Sequence, residues 1–174
     1  MTKQELLKTH FGYDTFREGQ EAVIDALLAG KDVLAVMPTG AGKSICYQVP
    51  ALMMKGITLV ISPLISLMKD QVRSLNQAGI SAAYLNSSLT QGQYFTALRY
   101  AKAGRYSIIY VAPERLTTEA FLGFALSADI SMIANNRNRT AANRKDRNQK
   151  RNNQNKRRRY RTNTVFYRSG RRIH

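Results

Sequence analysis

A chain of 174 residues is long enough to bury one core, and its formal net charge of +16 sits almost wholly at one end. Residues 1–134 hold 12 Lys+Arg against 10 Asp+Glu, whereas residues 135–174 hold 15 against the single acid Asp146. The lone cysteine, Cys46, excludes an internal disulfide, and with only His10 and His174 beside it a Cys/His metal cluster is excluded as well. No apolar run reaches membrane-spanning length and the first residues lack a signal peptide's apolar core. No membrane partner is expected, and the expected location is a reducing compartment such as a bacterial cytoplasm or nucleoid.

Thr2 and Glu5 stand at capping-box spacing, which predicts a helix from Lys3 to about His10 that stops at Gly12. The next ten residues, Phe11 to Gln20, crowd aromatics, an arginine and a glutamine ahead of a second helix. Val23, Ile24, Leu27 and Leu28 form that helix's apolar stripe, and Gly30 closes it. Phe16 reads as core packing. Tyr13, Arg17 and Gln20 read as a purine site: a ring can stack on the base, and an amide both donates to and accepts from an adenine edge.

Val33 to Met37 is an apolar run of strand length, followed by Pro38-Thr39-Gly40-Ala41-Gly42-Lys43-Ser44 and a helical segment, Ile45 to Met54. A strand, a glycine loop, a Lys-Ser pair and a helix, in that order, are what a phosphate-binding loop requires, although Met37 stands where the strict pattern has its first glycine. Glycines at 40 and 42 let successive N–H groups curl around one anion, and the helix start adds its partial positive charge. Lys43 is expected at the outer phosphates and Ser44 at Mg²⁺, which makes these two the predicted catalytic pair of a nucleoside triphosphate site.

Ile57 to Ile61 reads as a buried strand leading through Ser62-Pro63-Leu64-Ile65-Ser66-Leu67-Met68-Lys69-Asp70-Gln71 into a helix ending near Gln77. Ala82 to Leu85 is a short strand followed by Asn86-Ser87-Ser88, and Thr90 caps a helix that lasts until about Gly104. Ser107 to Val111 is a further strand, a helix is expected from about Thr118 to Ala125, and Ile130 to Ala134 is the last strand-like run. Such alternation predicts an α/β fold, a three-layer parallel sheet with helices on both faces. Ligands then bind at the carboxyl ends of the strands, so the loops at 38–44, 62–66, 86–88 and 112–115 should share one rim. Their serines, asparagine, lysine and backbone N–H groups suit phosphates gripped without base reading, which predicts a nucleic-acid track.

On these motifs residues 1–134 resemble the first RecA-like domain of a RecQ-family DNA helicase. The resemblance rests on Phe-Gly-Tyr-x-x-Phe-Arg-x-Gly-Gln at 11–20, Met-Pro-Thr-Gly-Ala-Gly-Lys-Ser at 37–44, the run at 62–71, and Tyr-Val-Ala-Pro-Glu-Arg-Leu at 110–116. It implies ATP and Mg²⁺ as cofactors, with Tyr13, Arg17 and Gln20 on the adenine and Thr39, Gly40, Ala41, Gly42, Lys43 and Ser44 on the phosphates and metal. It also implies that Ser62, Pro63, Ser66, Lys69, Asn86, Ser87 and Ser88 line a path for single-stranded DNA at a duplex junction. Glu18 stands where the family often has proline, with no consequence expected.

The family continues beyond Ala134 with Asp-Glu-Ala-His, but residues 135–139 here are Asn-Asn-Arg-Asn-Arg. The carboxylates that would hold the metal's water shell and orient the attacking water are therefore expected to be missing, and the second RecA-like domain with them. The expected division is a truncated ATP-binding domain over 1–134 and a disordered basic tail over 135–174. The tail has three readings: a nucleic-acid-binding arm, which would make the chain a non-enzymatic binding module, a nuclear address, for which nothing else in the sequence speaks, or the product of a reading frame shifted after codon 134. A lone phosphate-loop enzyme acting on a small substrate is the third reading of the whole, and the adenine motif at 11–20 argues against it.

Overall fold

The computed structural model describes residues 1–38, 40–137 and 162–169; Thr39, 138–161 and 170–174, and with them most of the tail, lie outside the described residues. In chain order the elements are α1 (Lys3–Phe11), α2 (Gln20–Leu28), β1 (Val33–Pro38), α3 (Ile45–Met53), β2 (Ile57–Ile61), α4 (Ile65–Gln77) and β3 (Ala82–Leu85). They continue with α5 (Gln91–Lys102), β4 (Ile108–Val111), a 3₁₀ turn (Pro113–Arg115), α6 (Glu119–Ser127), β5 (Ile130–Arg137) and β6 (Thr162–Ser169). Capping boxes close the starts of α1, through Thr2 and Glu5, and of α5, through Thr90 and Gln93.

The six strands form one sheet in the order β1-β6-β5-β2-β4-β3. β2 pairs in parallel with β4 and β5, and β3 with β4, while β6 is antiparallel to both of its neighbours. Two antiparallel steps cancel, so β1 runs the same way as β5 and all five other strands point their carboxyl ends at one edge. That edge carries the loops after Pro38, Ile61, Leu85 and Val111, as the alternation of strands and helices requires.

Alternation along each strand sorts the core into two layers. Ala35, Met37, Val60, Ile108, Tyr110, Met132 and Ala134 pack with Tyr47 of α3 and Met68, Val72 and Leu75 of α4. Ile57, Leu59, Ile109 and Val111 face the other way, toward Tyr94 and Leu98 of α5 and Phe121 and Phe124 of α6. Outside α3 a smaller cluster joins Leu7 of α1 and Ile24 of α2 to Ile45 and Val49, and Phe16 packs against it, as expected of a core residue. The second layer stops short of β1: Leu34 and Val36 remain 61% and 60% exposed.

The strand β6 departs from the sequence expectation. Residues 135–137 and 162–169 were placed in a disordered tail, yet the first three extend β5 and the last eight lie between β1 and β5. The sheet is therefore mixed at this one place rather than wholly parallel. Average composition hid a local preference: Thr162-Asn-Thr-Val-Phe-Tyr-Arg-Ser169 is rich in β-branched and aromatic residues, and β1 and β5 each offer it an unpaired edge.

Candidate functional site

The loop after β1 is fixed from both ends. Met37 is buried in the core, where the Cys46 thiol reaches its sulfur at 3.9 Å, and the Ala41 N–H donates to the Pro38 carbonyl at 3.2 Å. Gly40 and Gly42 have φ of +86° and +72°, the left-handed region that glycine enters without a Cβ penalty. Helix α3 then starts at once, the Ile45 N–H bonding back to the Gly42 carbonyl at 3.1 Å and the Gln48 N–H to that of Ser44 at 2.9 Å.

A clasp from the segment before α2 holds this loop. The Gln20 amide donates to the Ala41 and Gly42 carbonyls, each at 3.0 Å, and its own carbonyl accepts from the Arg17 backbone N–H at 2.8 Å. The Arg17 guanidinium donates to the Gly40 carbonyl at 2.5 Å. N–H and C=O of one planar peptide point in opposite directions, so carbonyls held on Gln20 turn the Gly42 and Lys43 N–H groups away from it. That presents an N–H edge to an anion next to a helix start. The Lys43 ammonium donates to the Pro38 carbonyl at 3.0 Å, and partial burial lowers its pKa from the ordinary value. A phosphate at its side would relieve that cost, because an opposite charge favours the protonated amine.

The predicted residues Tyr13, Arg17, Gln20, Gly40, Gly42, Lys43 and Ser44 line one cleft of about 590 Å³, the size of a small-molecule site. Thr39 lies outside the described residues, and Ala41 contributes its carbonyl to the clasp. Tyr13 lines the cleft and is 49% exposed. A further wall brings in Gln48 of α3 and Gln71 and Ser74 of α4. Of these the sequence reading singled out only Gln71, within the run at 62–71, while Gln48 shows as a glutamine inside the otherwise apolar run 45–54.

Beneath that wall lies a buried polar network. The hydroxyls of Tyr47 and Tyr110 are 3.1 Å apart; Tyr110 donates to the Gln71 amide oxygen at 3.3 Å, and Gln48 donates to the same oxygen at 3.1 Å. The Ser44 side chain is hydrogen-bonded to the Tyr47 phenol, so the predicted metal-binding hydroxyl is tied to the network. Burial raises the pKa of both phenols.

Seven further residues were predicted on the rim, and the structure divides them. Pro63, Ser66, Lys69, Ser87 and Ser88 are exposed, whereas Ser62 and Asn86 are buried. The Asn86 side chain is spent on the loop itself: its oxygen accepts from the Ser88 N–H and hydroxyl at 2.9 and 2.7 Å, and its amide meets the Met68 sulfur at 3.6 Å. Arg115 donates to the Asn86 carbonyl at 3.2 Å and stacks 4.8 Å over the Tyr94 ring, binding two rim loops together. At the end of β5 the residue paired with Ile61 is Asn135, so amides rather than carboxylates stand there.

Cys46 supplies a pH test of this packing. Burial pushes its thiol up to about 11 from the ordinary 9.0, so the fold favours the protonated form. Its contribution should be complete below pH 9 and fall away as the pH rises toward 11, a loss of about 2–3 kcal/mol. Urea unfolding at stepped pH checks this, and Cys46→Ala should flatten the profile over that window.

Comparison with known proteins gives the same picture at larger scale. A DEAD/DEAH box helicase family model matches residues 17–139. The chain is 48% identical over 132 residues to the ATP-dependent DNA helicase RecQ of Bacillus subtilis (strain 168), covering 75% of this chain and 22% of that protein. Against the ATP-dependent DNA helicase RecQ of Pasteurella multocida (strain Pm70) it is 50% identical over 133 residues, covering 76% and 21%. The chain thus spans under a quarter of the length of these relatives. Its fold resembles the crystal structure of a hypothetical ATP-dependent RNA helicase from Sulfolobus tokodaii, with a TM-score of 0.56 and 24% identity over 70% of this chain and 37% of that one. No helix among the described residues is long and apolar enough to cross a membrane. The matched span begins at the arginine that holds Gly40 and runs past the end of β5, taking in loop and sheet alike, and the chain belongs to the DEAD/DEAH box helicase family.

Proposed function

We propose that this chain is the nucleotide-binding part of a RecQ-type ATP-dependent DNA helicase, whose full-length form couples ATP hydrolysis to 3′-to-5′ movement on single-stranded DNA in repair and recombination in the cytoplasm. The observation that carries this reading is the clasp of Gln20 and Arg17 on the carbonyls of residues 40–42, which connects an adenine-suited segment to a phosphate-suited loop. Tyr13 stacks on the base in the cleft; Lys43 and the N–H edge of the loop take the phosphates. Ser44 at the start of α3 would hold Mg²⁺, which supplies charge neutralisation for the outer phosphates. A loop that offers hydroxyl oxygens and no carboxylate fits an ion that keeps most of its waters.

Binding and catalysis separate in this chain. Phosphoryl transfer depends on positioning and charge stabilisation, and the end of β5 offers Asn135 where carboxylates would serve. The expected result is a chain that binds adenine nucleotide, hydrolyses it poorly and does not unwind DNA alone. Lys43→Ala should weaken binding of a fluorescent ATP analogue by about 10- to 100-fold, the worth of one charge-assisted hydrogen bond. Equal affinity in parent and variant, or strand separation by the purified chain, would overturn this reading.

The charge of residues 135–174 favours a second reading, a nucleic-acid-binding module acting through its basic segment. Deleting 138–161 distinguishes the two. Nucleotide binding retained with nucleic-acid affinity lost makes that segment the binder; both retained makes the folded domain the binder.

A further inference from the structure

The charge of the folded part is divided in a way its modest total conceals. Between Asp70 and Glu114 there is no acidic residue, and there are four basic ones, Arg73, Arg99, Lys102 and Arg105. In the remainder of residues 1–134, acids outnumber bases by 10 to 8. The acid-free stretch takes in β3 at the sheet's edge, the Ser87–Ser88 loop, α5 and β4.

Helix α5 buries Tyr94, Leu98 and Ala101 against the sheet. Phe95, Arg99 and Lys102, at helical spacings of four and three, share one flank of the helix and are all exposed, Phe95 by 50%. One turn nearer the rim this face carries Gly92, where a Cβ would meet nothing within 4 Å, so no side chain crowds the start of the helix there. At the far end the chain turns back and lays Arg105 over the Tyr100 ring at 4.6 Å, with Arg99 over the same ring at 5.6 Å. Two guanidinium groups are thereby held against one ring.

Bases in a helix's last turn complement its dipole, which accounts for Arg99 and Lys102 on local grounds. It does not account for a half-exposed phenylalanine in line with them, or for the missing acids. A ring with ordered cations along one open face is how proteins hold single-stranded nucleic acid, stacking bases and pairing with phosphates.

We propose that the outer face of α5, through Phe95, Arg99, Lys102 and Arg105, is a second contact for single-stranded nucleic acid, continuing the track from the Ser87–Ser88 loop toward the opposite edge of the sheet. The proposal rests on the nucleic-acid reading of the rim, and its test separates the two. The chain has no tryptophan, so Phe95→Trp in the full chain places a single reporter on this face. Titration with a thymidylate oligonucleotide of about 15 nucleotides should quench its emission, while anisotropy of the labelled oligonucleotide reports total binding, including any by the basic C-terminal segment. Adding Arg99→Glu and Lys102→Glu should raise the concentration for half-quenching by about tenfold.

Binding by anisotropy without a change in emission overturns the α5 contact and leaves the rim reading standing. Quenching that survives Lys69→Glu and Ser87→Asp unchanged, but is lost with the α5 charges, overturns the rim instead. No binding at all overturns both. Circular dichroism melts confirm that each variant is folded, and Phe95→Tyr, which keeps a stacking ring, should bind as the parent does.

Discussion

Gly42→Ala should weaken adenine-nucleotide binding at least tenfold and lower the unfolding free energy by about 1–3 kcal/mol. Gly42 sits at φ +72°, where an L side chain is strained, and an added Cβ would lie 2.5 Å from the Gln20 amide nitrogen. Gln20 cannot give way without losing its own hydrogen bonds. It is 3% exposed, and moving its amide leaves two loop carbonyls and the Arg17 N–H without their bonds. The loop then loses the constraint that turns its N–H edge outward. Gly40→Ala is the control, since φ there is +86° but a Cβ meets nothing within 4 Å. Thermal denaturation and titration with a fluorescent ATP analogue measure both effects. Equal losses in the two variants would mean that strain alone matters and that the clasp contributes nothing.

The clasp also marks how far the sequence could be read. Gly40, Gly42, Lys43 and Ser44 could be read as a candidate phosphate loop because such a loop is a local object: its curvature, charge and helix start lie within a dozen residues. Tyr13, Arg17 and Gln20 were read as a purine site, and the structure brings them to the same cleft, yet nothing in the spacing showed that the Gln20 amide, read as facing an adenine edge, would be spent on the Arg17 N–H and on loop carbonyls more than twenty residues away. Strands β2, β4 and β5 announced themselves as apolar runs, whereas β6 lay inside a basic segment whose average composition outvoted five strand-prone residues among its eight. Asn86 fails differently. A polar residue in a loop at a strand end suggests a ligand contact, but its side chain is consumed by an Asx turn onto Ser88, and only burial in the fold reveals that.

Tyr110 governs the other large effect. Its ring is 1% exposed on β4, and packs edge-on against Tyr47 at 6.5 Å between centroids. Tyr110→Ala should cost about 3–5 kcal/mol, the usual penalty for emptying an aromatic site in a core. Tyr110→Phe keeps the volume and removes only the hydroxyl that Tyr47, Gln48 and Gln71 share, for about 1–3 kcal/mol. Urea unfolding measures both, and a neutral Tyr110→Phe would reduce the network to packing alone. Alkaline pH supplies an independent check. Burial raises the phenol's pKa above the ordinary 10.0, so the folded state keeps its proton while the unfolded chain releases it. The stability this gives is complete below pH 10 and lost as the pH climbs beyond it. Phenylalanine has no proton to lose, so Tyr110→Phe should start less stable at neutral pH yet decline more gently above pH 10, its profile converging on that of the parent. A variant whose curve runs parallel to the parent's throughout would show that the Tyr110 hydroxyl ionises alike in both states, and that its burial has no energetic weight.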